Sequence, residues 1–417
     1  MKKIAFIFPG QGAQEVGMGK ELCEKYEVAR ETFAQANEAL GFDLKKICFE
    51  GPIQELTKTK FTQPAILTHS IAVFRVLAQE LGITPQYSAG HSLGEYSALV
   101  AAGSLDFTDA VRLVHKRGQL MQEAVPVGVG SMMAVMKLNP EDVYQVCQEV
   151  STEDQIVSPA NYNSDSQIVI SGHKSAVEKA GKRLSELGGY TKELNVSAPF
   201  HSPLMQPAAD KMLEELKQVD FRSPEWPVIA NVTALPYKGT DKMAEILAEQ
   251  IVSPVRWHES VAYMDQANIE HAVEVGPGKV LKGILKRSYP QIQVISLGQG
   301  LSFDELKEEL DLKQDLNKIV TRSMAHAVST RNRNFDDEAY QKGVVQPYRE
   351  MEKLKSRLDN EETEPTLEEA RQVLENLKLI FETKGVPAKE QVKRFKQLFE
   401  ESQTRDEFAD FELPSVG

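Results

Sequence analysis

Short apolar runs alternate with amphipathic stretches through the first 300 residues of this chain. Ile4–Phe8 is apolar throughout, and Tyr87–Ala89, Val228–Val232, His271–Val275 and Val294–Leu297 are further short runs of strand character. Helical patterns fall near Phe33–Leu40, over Thr62–Leu81, and over Glu95–Ala102 up to a stop at Gly103. Thr62 reads as an N-cap, with Pro64 in the first turn where a missing amide hydrogen costs little. The alternation predicts an α/β domain with a largely parallel sheet covered on both faces.

From Gly128 to Ser197 the pattern becomes a smaller unit. Met132–Met136 reads as strand, Pro140–Val150 as helix, Ile156–Ala160 and Gln167–Ser171 as strands, Ala176–Leu187 as helix and Lys192–Val196 as strand. The order βαββαβ is ferredoxin-like. The expected division is a large α/β domain over 1–127 and 198–301, an inserted small domain over 128–197, and a mainly helical extension over 302–417. A cleft between the first two is a natural ligand site. In the extension, Leu367, Ala370, Val373, Leu374, Leu377, Ile380 and Phe381 keep a helical rhythm, with Thr366 and Glu369 as a capping box and Gly385 and Pro387 as a stop. Val392, Phe395, Leu398 and Phe399 form a second stripe; both must bury against each other, the main domain or a partner protein, and packing within the chain is the simplest cover. The run Glu361–Pro365 reads as a solvated joint before this pair.

Composition narrows the classes by exclusion. A formal charge of -13 disfavours a nucleic-acid or anionic-membrane surface. The five-residue run Ile4–Phe8 is too short for a signal-peptide core or a membrane span, so a cytoplasmic protein without membrane association is expected. Cys23, Cys48 and Cys147 are widely spaced and contain no CxxC pair, which suggests neither a disulfide framework nor a metal site.

Candidate chemistry centres on Gly90-His91-Ser92-Leu93-Gly94, a GxSxG stretch between a strand end and a helix start. A sharp turn of this kind holds a serine hydroxyl clear of the backbone at the positive end of a helix, so Ser92 reads as a nucleophile. A base must come from eight histidines. His91 adjoins the serine and reads as support for the turn, while His69, His115 and His326 lie in helical patterns. His201, flanked by Pro199 and Pro203, is the candidate from a constrained loop. The Leu93 amide is the usual first oxyanion donor at such an elbow, and the turn Phe8-Pro9-Gly10-Gln11-Gly12 is a source for a second. Arg117 sits in a helical stretch; alone it reads as a surface residue, and in a cleft it would bind a carboxylate.

These segments together resemble the malonyl-CoA:acyl carrier protein transacylase family over roughly residues 1 to 300. The likeness rests on FPGQG at 8–12, TQPA at 62–65, GHSLGEYSALVAAG at 90–103, VHKRGQLMQEA at 114–124, NYNSDSQIVISG at 161–172, PFHSP at 199–203 and EVGPGKVLKG at 274–283. The resemblance implies an α/β hydrolase-like large domain with an inserted ferredoxin-like domain. It implies Ser92 as acylated nucleophile and His201 as its base, oriented by a main-chain carbonyl near Gln250 rather than by an aspartate. It further implies an oxyanion hole from the amides of Gln11 and Leu93, a carboxylate clamp at Arg117, and Gln63 and Asn161 in the lining. Leu93 and Phe200 resemble the malonyl-selective pattern. The implied partners are malonyl-CoA and an acyl carrier protein or polyketide synthase carrier domain. No cofactor or metal of its own is expected, and the protein is expected to be a monomer. The extension departs from the fatty-acid enzymes. Ala325–Asn334 and Tyr340–Gly343 resemble the tails of free-standing acyltransferases that serve polyketide synthases, which leaves fatty-acid and polyketide synthesis both open. The competing reading is an acyl hydrolase that clears carrier proteins, against which Arg117 stands, since a neutral acyl chain needs no carboxylate clamp.

Overall fold

All five apolar runs become strands of one parallel sheet in the computed structural model, which describes residues 3–196, 198–298, 303–310, 315–405 and 407–414. In chain order the strands are β1 (Ile4–Phe8), β2 (Tyr87–Gly90), β3 (Gly130–Met136), β4 (Val157–Ser164), β5 (Gln167–His173), β6 (Tyr190–Glu193), β7 (Val228–Ile229), β8 (His271–Glu274) and β9 (Gln293–Ser296). The main sheet runs β7-β2-β1-β8-β9, with every pairing parallel. Its centre, β1, is buried at every residue, as a parallel strand covered on both faces must be. On one face Ala5, Ile7, Ala89, Val255 and Trp257 belong to a single apolar cluster. The strand β7 stops at Ile229, short of the expected Val232, because the next turn turns Asn231 toward the β2 end instead of pairing it.

The second sheet is antiparallel, ordered β4-β5-β3-β6, and takes up the βαββαβ segment. Helices Pro140–Val150 and Lys174–Glu186 pack against it through Val143, Val146, Ala176, Val177, Ala180 and Leu184. Its last strand comes earlier than the sequence predicts, at Tyr190–Glu193, and Leu194 and Val196 are free to line a cavity. The strand β4 carries register shifts at Pro159/Asn161 and Tyr162/Ser164, next to the site. Such irregularities re-aim side chains.

Two helices are locked together by a proline. The helix Thr59–Leu81 starts three residues before Thr62, so Thr62 is interior; its hydroxyl donates to the carbonyls of Leu56 (2.5 Å) and Lys58 (3.2 Å). Pro64 has no N–H for the Lys60 carbonyl four residues back. His115 Nδ1, on the helix Phe107–Glu123, takes that carbonyl at 2.7 Å. At Gly118 a Cβ would lie 2.6 Å from the Thr59 carbonyl oxygen, so only glycine allows this approach. Gln63 and Arg117 are thereby brought face to face.

Contacts divide the chain into two compact units, one of Met1–Gln79 and Thr84–Ser302, the other of Glu80–Ile83 and Phe303–Gly417. The expected domain limits at 1, 197, 301, 302 and 417 fall outside the described residues. Within the second unit, helices Leu316–Ser329, Gln346–Glu361, Leu367–Thr383 and Ala388–Ser402 bury Ile319, Leu374, Phe381, Phe395 and Phe399 in one core. The two amphipathic tail helices thus cover each other. Thr366 and Glu369 form the capping box. The buried Lys384 ammonium donates to the carbonyls of Ala327 (2.6 Å) and Thr330 (3.2 Å) at the C-terminus of Leu316–Ser329, where positive charge is favourable. The Tyr340–Gly343 motif enters a π-helical turn, Gln341–Val345, in which a Cβ on Gly343 would stand 2.1 Å from Thr383 Oγ1.

Phe395 is fully buried among aromatic rings. Phe395→Ala is expected to destabilise the second unit by about 3–5 kcal/mol, read by denaturant unfolding with hydrogen exchange over 316–402. A loss under about 1 kcal/mol would contradict the core described.

Candidate active site

Three glycines build the elbow by close approach. A Cβ on Gly90 would sit 1.8 Å from the Gly94 carbonyl carbon, one on Gly94 would sit 2.1 Å from the Phe8 carbonyl oxygen, and one on Gly10 would sit 2.3 Å from the His91 carbonyl oxygen. The β1 turn and the β2 turn are therefore pressed against each other. Between them Ser92 is held at φ 50° and ψ -104°, strain that a helix start and its neighbours must maintain. Asn231 does much of this, accepting from Ser92 N at 2.7 Å and donating to the Gly90 carbonyl at 2.7 Å. The helix Leu93–Ala101 begins at once, so the Leu93 N–H has no acceptor within the helix. Across β1, Glu274 of the EVGPG segment accepts from the amides of Leu281 (2.9 Å) and Lys282 (3.0 Å) and so starts the helix Val280–Ser288.

Ser92 Oγ lies 2.7 Å from His201 Nε2, and His201 Nδ1 lies 2.8 Å from the main-chain carbonyl of Gln250. A carbonyl only accepts, so the proton sits on Nδ1 and Nε2 keeps its lone pair for the serine hydroxyl. His201 itself has φ 57°, a left-handed position that the flanking prolines help to fix. Burial first, and then the charge of Arg117, push its imidazole down from 6.5 to about 3. It is therefore a neutral base at physiological pH.

Arg117 is not a surface residue: 1% of it is exposed. Its guanidinium donates to Gln63 Oε1 (2.9 Å), Gln250 Oε1 (2.8 Å) and Ser92 Oγ (3.1 Å). The Gln250 side-chain amide in turn donates to the Ser92 carbonyl (2.9 Å) and to Glu95 Oε2 (2.6 Å). A cavity of about 120 Å³ opens on this cluster. Ser92, His201, Arg117, Gln11, Leu93, Gln63, Asn161 and Phe200 all line it, and Gln250 lies beneath them. Met121, Met132, Leu194 and Val196 supply an apolar wall. His91 also faces the cavity, its Nε2 2.8 Å from Asn163 Oδ1, rather than serving only the turn.

Sequence reasoning passed over Glu95, Asn231, Tyr237 and Asn163. Glu95 is fully buried; its Oε1 accepts from the Tyr237 hydroxyl, and burial pushes its carboxyl up to about 7 against the pull of three hydrogen bonds and Arg117. A signal was available, because Glu95 is the lone charge in the apolar run 93–102 and Asn231 interrupts Val228–Val232. Tyr237 and Asn163 carry no such mark.

A serine and a neutral imidazole, a strained elbow with a free amide and a buried cation beside the hydroxyl together make an acyl-transfer site. A family model described as "Acyl transferase domain" matches residues 5–327. A malonyl CoA-acyl carrier protein transacylase of Bacillus subtilis is 40% identical over 400 residues, covering 95% of this chain and 100% of the relative. Its counterpart in Escherichia coli K12 is 48% identical over 300 residues, 72% of this chain and 97% of the relative. The chain belongs to the malonyl CoA-acyl carrier protein transacylase family. Among solved structures, FabD of Acinetobacter baumannii superposes with a TM-score of 0.72 at 42% identity, over 75% of this chain and 99% of that one. A malonyl-transacylase solved in complex with a type II polyketide synthase acyl-carrier protein gives 0.70 at 43% identity, over 72% and 97%. The first alignment covers 95% of this chain and so includes most of the second unit, whereas the Escherichia coli alignment covers 72% of it.

The depressed basicity of His201 has a pH consequence. An ordinary imidazole is protonated below about 6.5, whereas one held at about 3 stays neutral as pH falls through 6 to 4. Acylation of Ser92 by a neutral ester is expected to persist at pH 5, measured over a pH series. A limb centred near 6.5 would contradict the assignment. In the same window the unfolded chain takes up a proton that the folded one does not, so this group's contribution to stability declines below about 6.5.

Proposed function

We propose that the protein moves a malonyl group from malonyl-CoA to the phosphopantetheine thiol of an acyl carrier protein through a malonyl-serine at Ser92. The observation that carries the reading is the buried Arg117 guanidinium 3.1 Å from the serine oxygen. A cation placed there meets the free carboxylate of a malonyl group with paired hydrogen bonds, and offers a neutral acyl chain only an uncompensated charge.

His201 Nε2 takes the Ser92 hydroxyl proton as the oxygen attacks the thioester carbonyl. The amides of Gln11 and Leu93 hold the oxyanion, and collapse expels CoA as its thiol with the proton returned from His201. In the second half the carrier thiol gives its proton to His201 and attacks the serine ester, restoring the Ser92 hydroxyl. Each half breaks one carbon–heteroatom bond and forms another, so no cofactor is required. Leu93 and Phe200, 1% and 7% exposed, limit the room beside the α-carbon, an effect of about 1–3 kcal/mol against an added methyl. Gln63 and Asn161 complete the lining, with Gln63 steadying the clamp.

The test is intact-mass analysis after incubation with malonyl-CoA. One malonyl unit is expected on the wild type, none on Ser92→Ala, and full discharge on adding a phosphopantetheinylated carrier. Release of free malonate at the same rate without carrier would favour the hydrolase reading instead. Arg117→Ala is expected to lower malonyl transfer by roughly a hundredfold or more while admitting acetyl-CoA. Undiminished malonyl transfer would remove the clamp role. We infer that the second unit directs the enzyme to polyketide carriers; equal rates on fatty-acid and polyketide carriers would overturn that part alone.

A further inference from the structure

Arg117 is held by two glutamine side chains, and a glutamine can present either its oxygen or its NH₂. The two ends are nearly the same size, so packing does not choose between them. At Gln250 the choice decides whether the guanidinium meets an acceptor at 2.8 Å or a repelling donor.

Two acceptors set that choice, the Ser92 main-chain carbonyl at 2.9 Å and the Glu95 carboxylate. Glu95 Oε2 accepts the main-chain N–H of Asn231 at 3.1 Å, a donor that cannot be reversed, so this oxygen is proton-free whichever way any amide is turned. The same oxygen is 2.6 Å from the Gln250 side chain, and only the NH₂ end can face it. Oε1 is occupied by the Tyr237 hydroxyl, which keeps the carboxylate from rotating. Tyr237 is itself fixed to the sheet, its main-chain N–H donating to the Val228 carbonyl at 3.0 Å. The chain from Tyr237 through Glu95 to Gln250 therefore ends on the guanidinium. It bypasses the base, because His201 is held by the main-chain carbonyl of Gln250 and not by its side chain.

We propose that Glu95 and Tyr237 are positioning residues that, together with the Ser92 carbonyl, fix the facing of the Gln250 amide and, through it, hold Arg117 ready for a carboxylate-bearing acyl group. This rests on the malonyl-transfer reading, and it adds a selectivity device that touches neither substrate nor reacting atoms. It sets a prediction that general structural support would not make: loss of the device costs malonyl recognition more than it costs serine reactivity.

The experiment compares Tyr237→Phe and Glu95→Gln with wild type on malonyl-CoA and on p-nitrophenyl acetate, which acylates Ser92 without a carboxylate. For both variants kcat/KM on malonyl-CoA is expected to fall roughly tenfold, chiefly through KM, with the ester rate within about threefold of wild type. Equal losses on the two substrates, or an unchanged KM for malonyl-CoA, would overturn the proposal. If Glu95→Gln does not fold, Tyr237→Phe, which removes a single hydroxyl, decides it alone. A wild type that takes up no malonyl group at Ser92 fails the underlying reading instead, and that result is read before any variant is compared.

Discussion

A cation buried beside a nucleophile is the constraint around which this site is arranged. The Arg117 guanidinium is buried, and among the described residues its hydrogen bonds run to Gln63, Gln250 and the Ser92 hydroxyl rather than to a carboxylate. The Glu95 carboxyl reaches it through the Gln250 side chain. Removing an unpaired charge from water is costly, so every acceptor around it has to be in place. Gln250 carries most of that burden: its side-chain oxygen faces Arg117, its side-chain NH₂ ties down the serine carbonyl, and its main-chain oxygen orients His201. One residue thereby links Arg117, Ser92 and His201, and His201 Nδ1 meets a main-chain carbonyl rather than a carboxylate.

The backbone makes this possible by approaching itself more closely than side chains would permit. Gly10, Gly90 and Gly94 bring the first two strand ends within contact, so that the Gln11 turn and the Leu93 amide open on one small cavity. Gly118 and Pro64 do the same for the helices that carry Arg117 and Gln63. Gly10 lies far from Gly90 and Gly94 in the chain and meets them because the parallel sheet sets β2 and β1 side by side. The glycines of the motif are thus requirements of packing as much as of turn geometry.

Much of this was legible beforehand, and the residues show why. Strand and helix periodicity located the sheet, the βαββαβ segment and both tail helices, because apolar faces must be buried whatever covers them. Ser92 and His201 were legible from glycine and proline spacing. Arg117 was not legible from the residues alone, since a buried and an exposed arginine look alike until the helix is docked. Thr62 was misread as a cap because its hydroxyl bonds backward to Leu56 and Lys58, an interior arrangement that the same sequence allows. Glu95, Asn231 and Tyr237 form a network between chain segments about 140 residues apart, and no local pattern reports such a meeting.

Arg117 also bears on the base. Its positive charge is the second cause, after burial, of the depressed basicity of His201. On the proposed function, a malonyl carboxylate paired to the guanidinium cancels part of that field, and the imidazole regains affinity for a proton at the moment the serine must lose one. A neutral acyl group leaves the field in place and the base weak. On that reading the same guanidinium would contribute to selection twice, by direct pairing with the acyl carboxylate and through its field at His201.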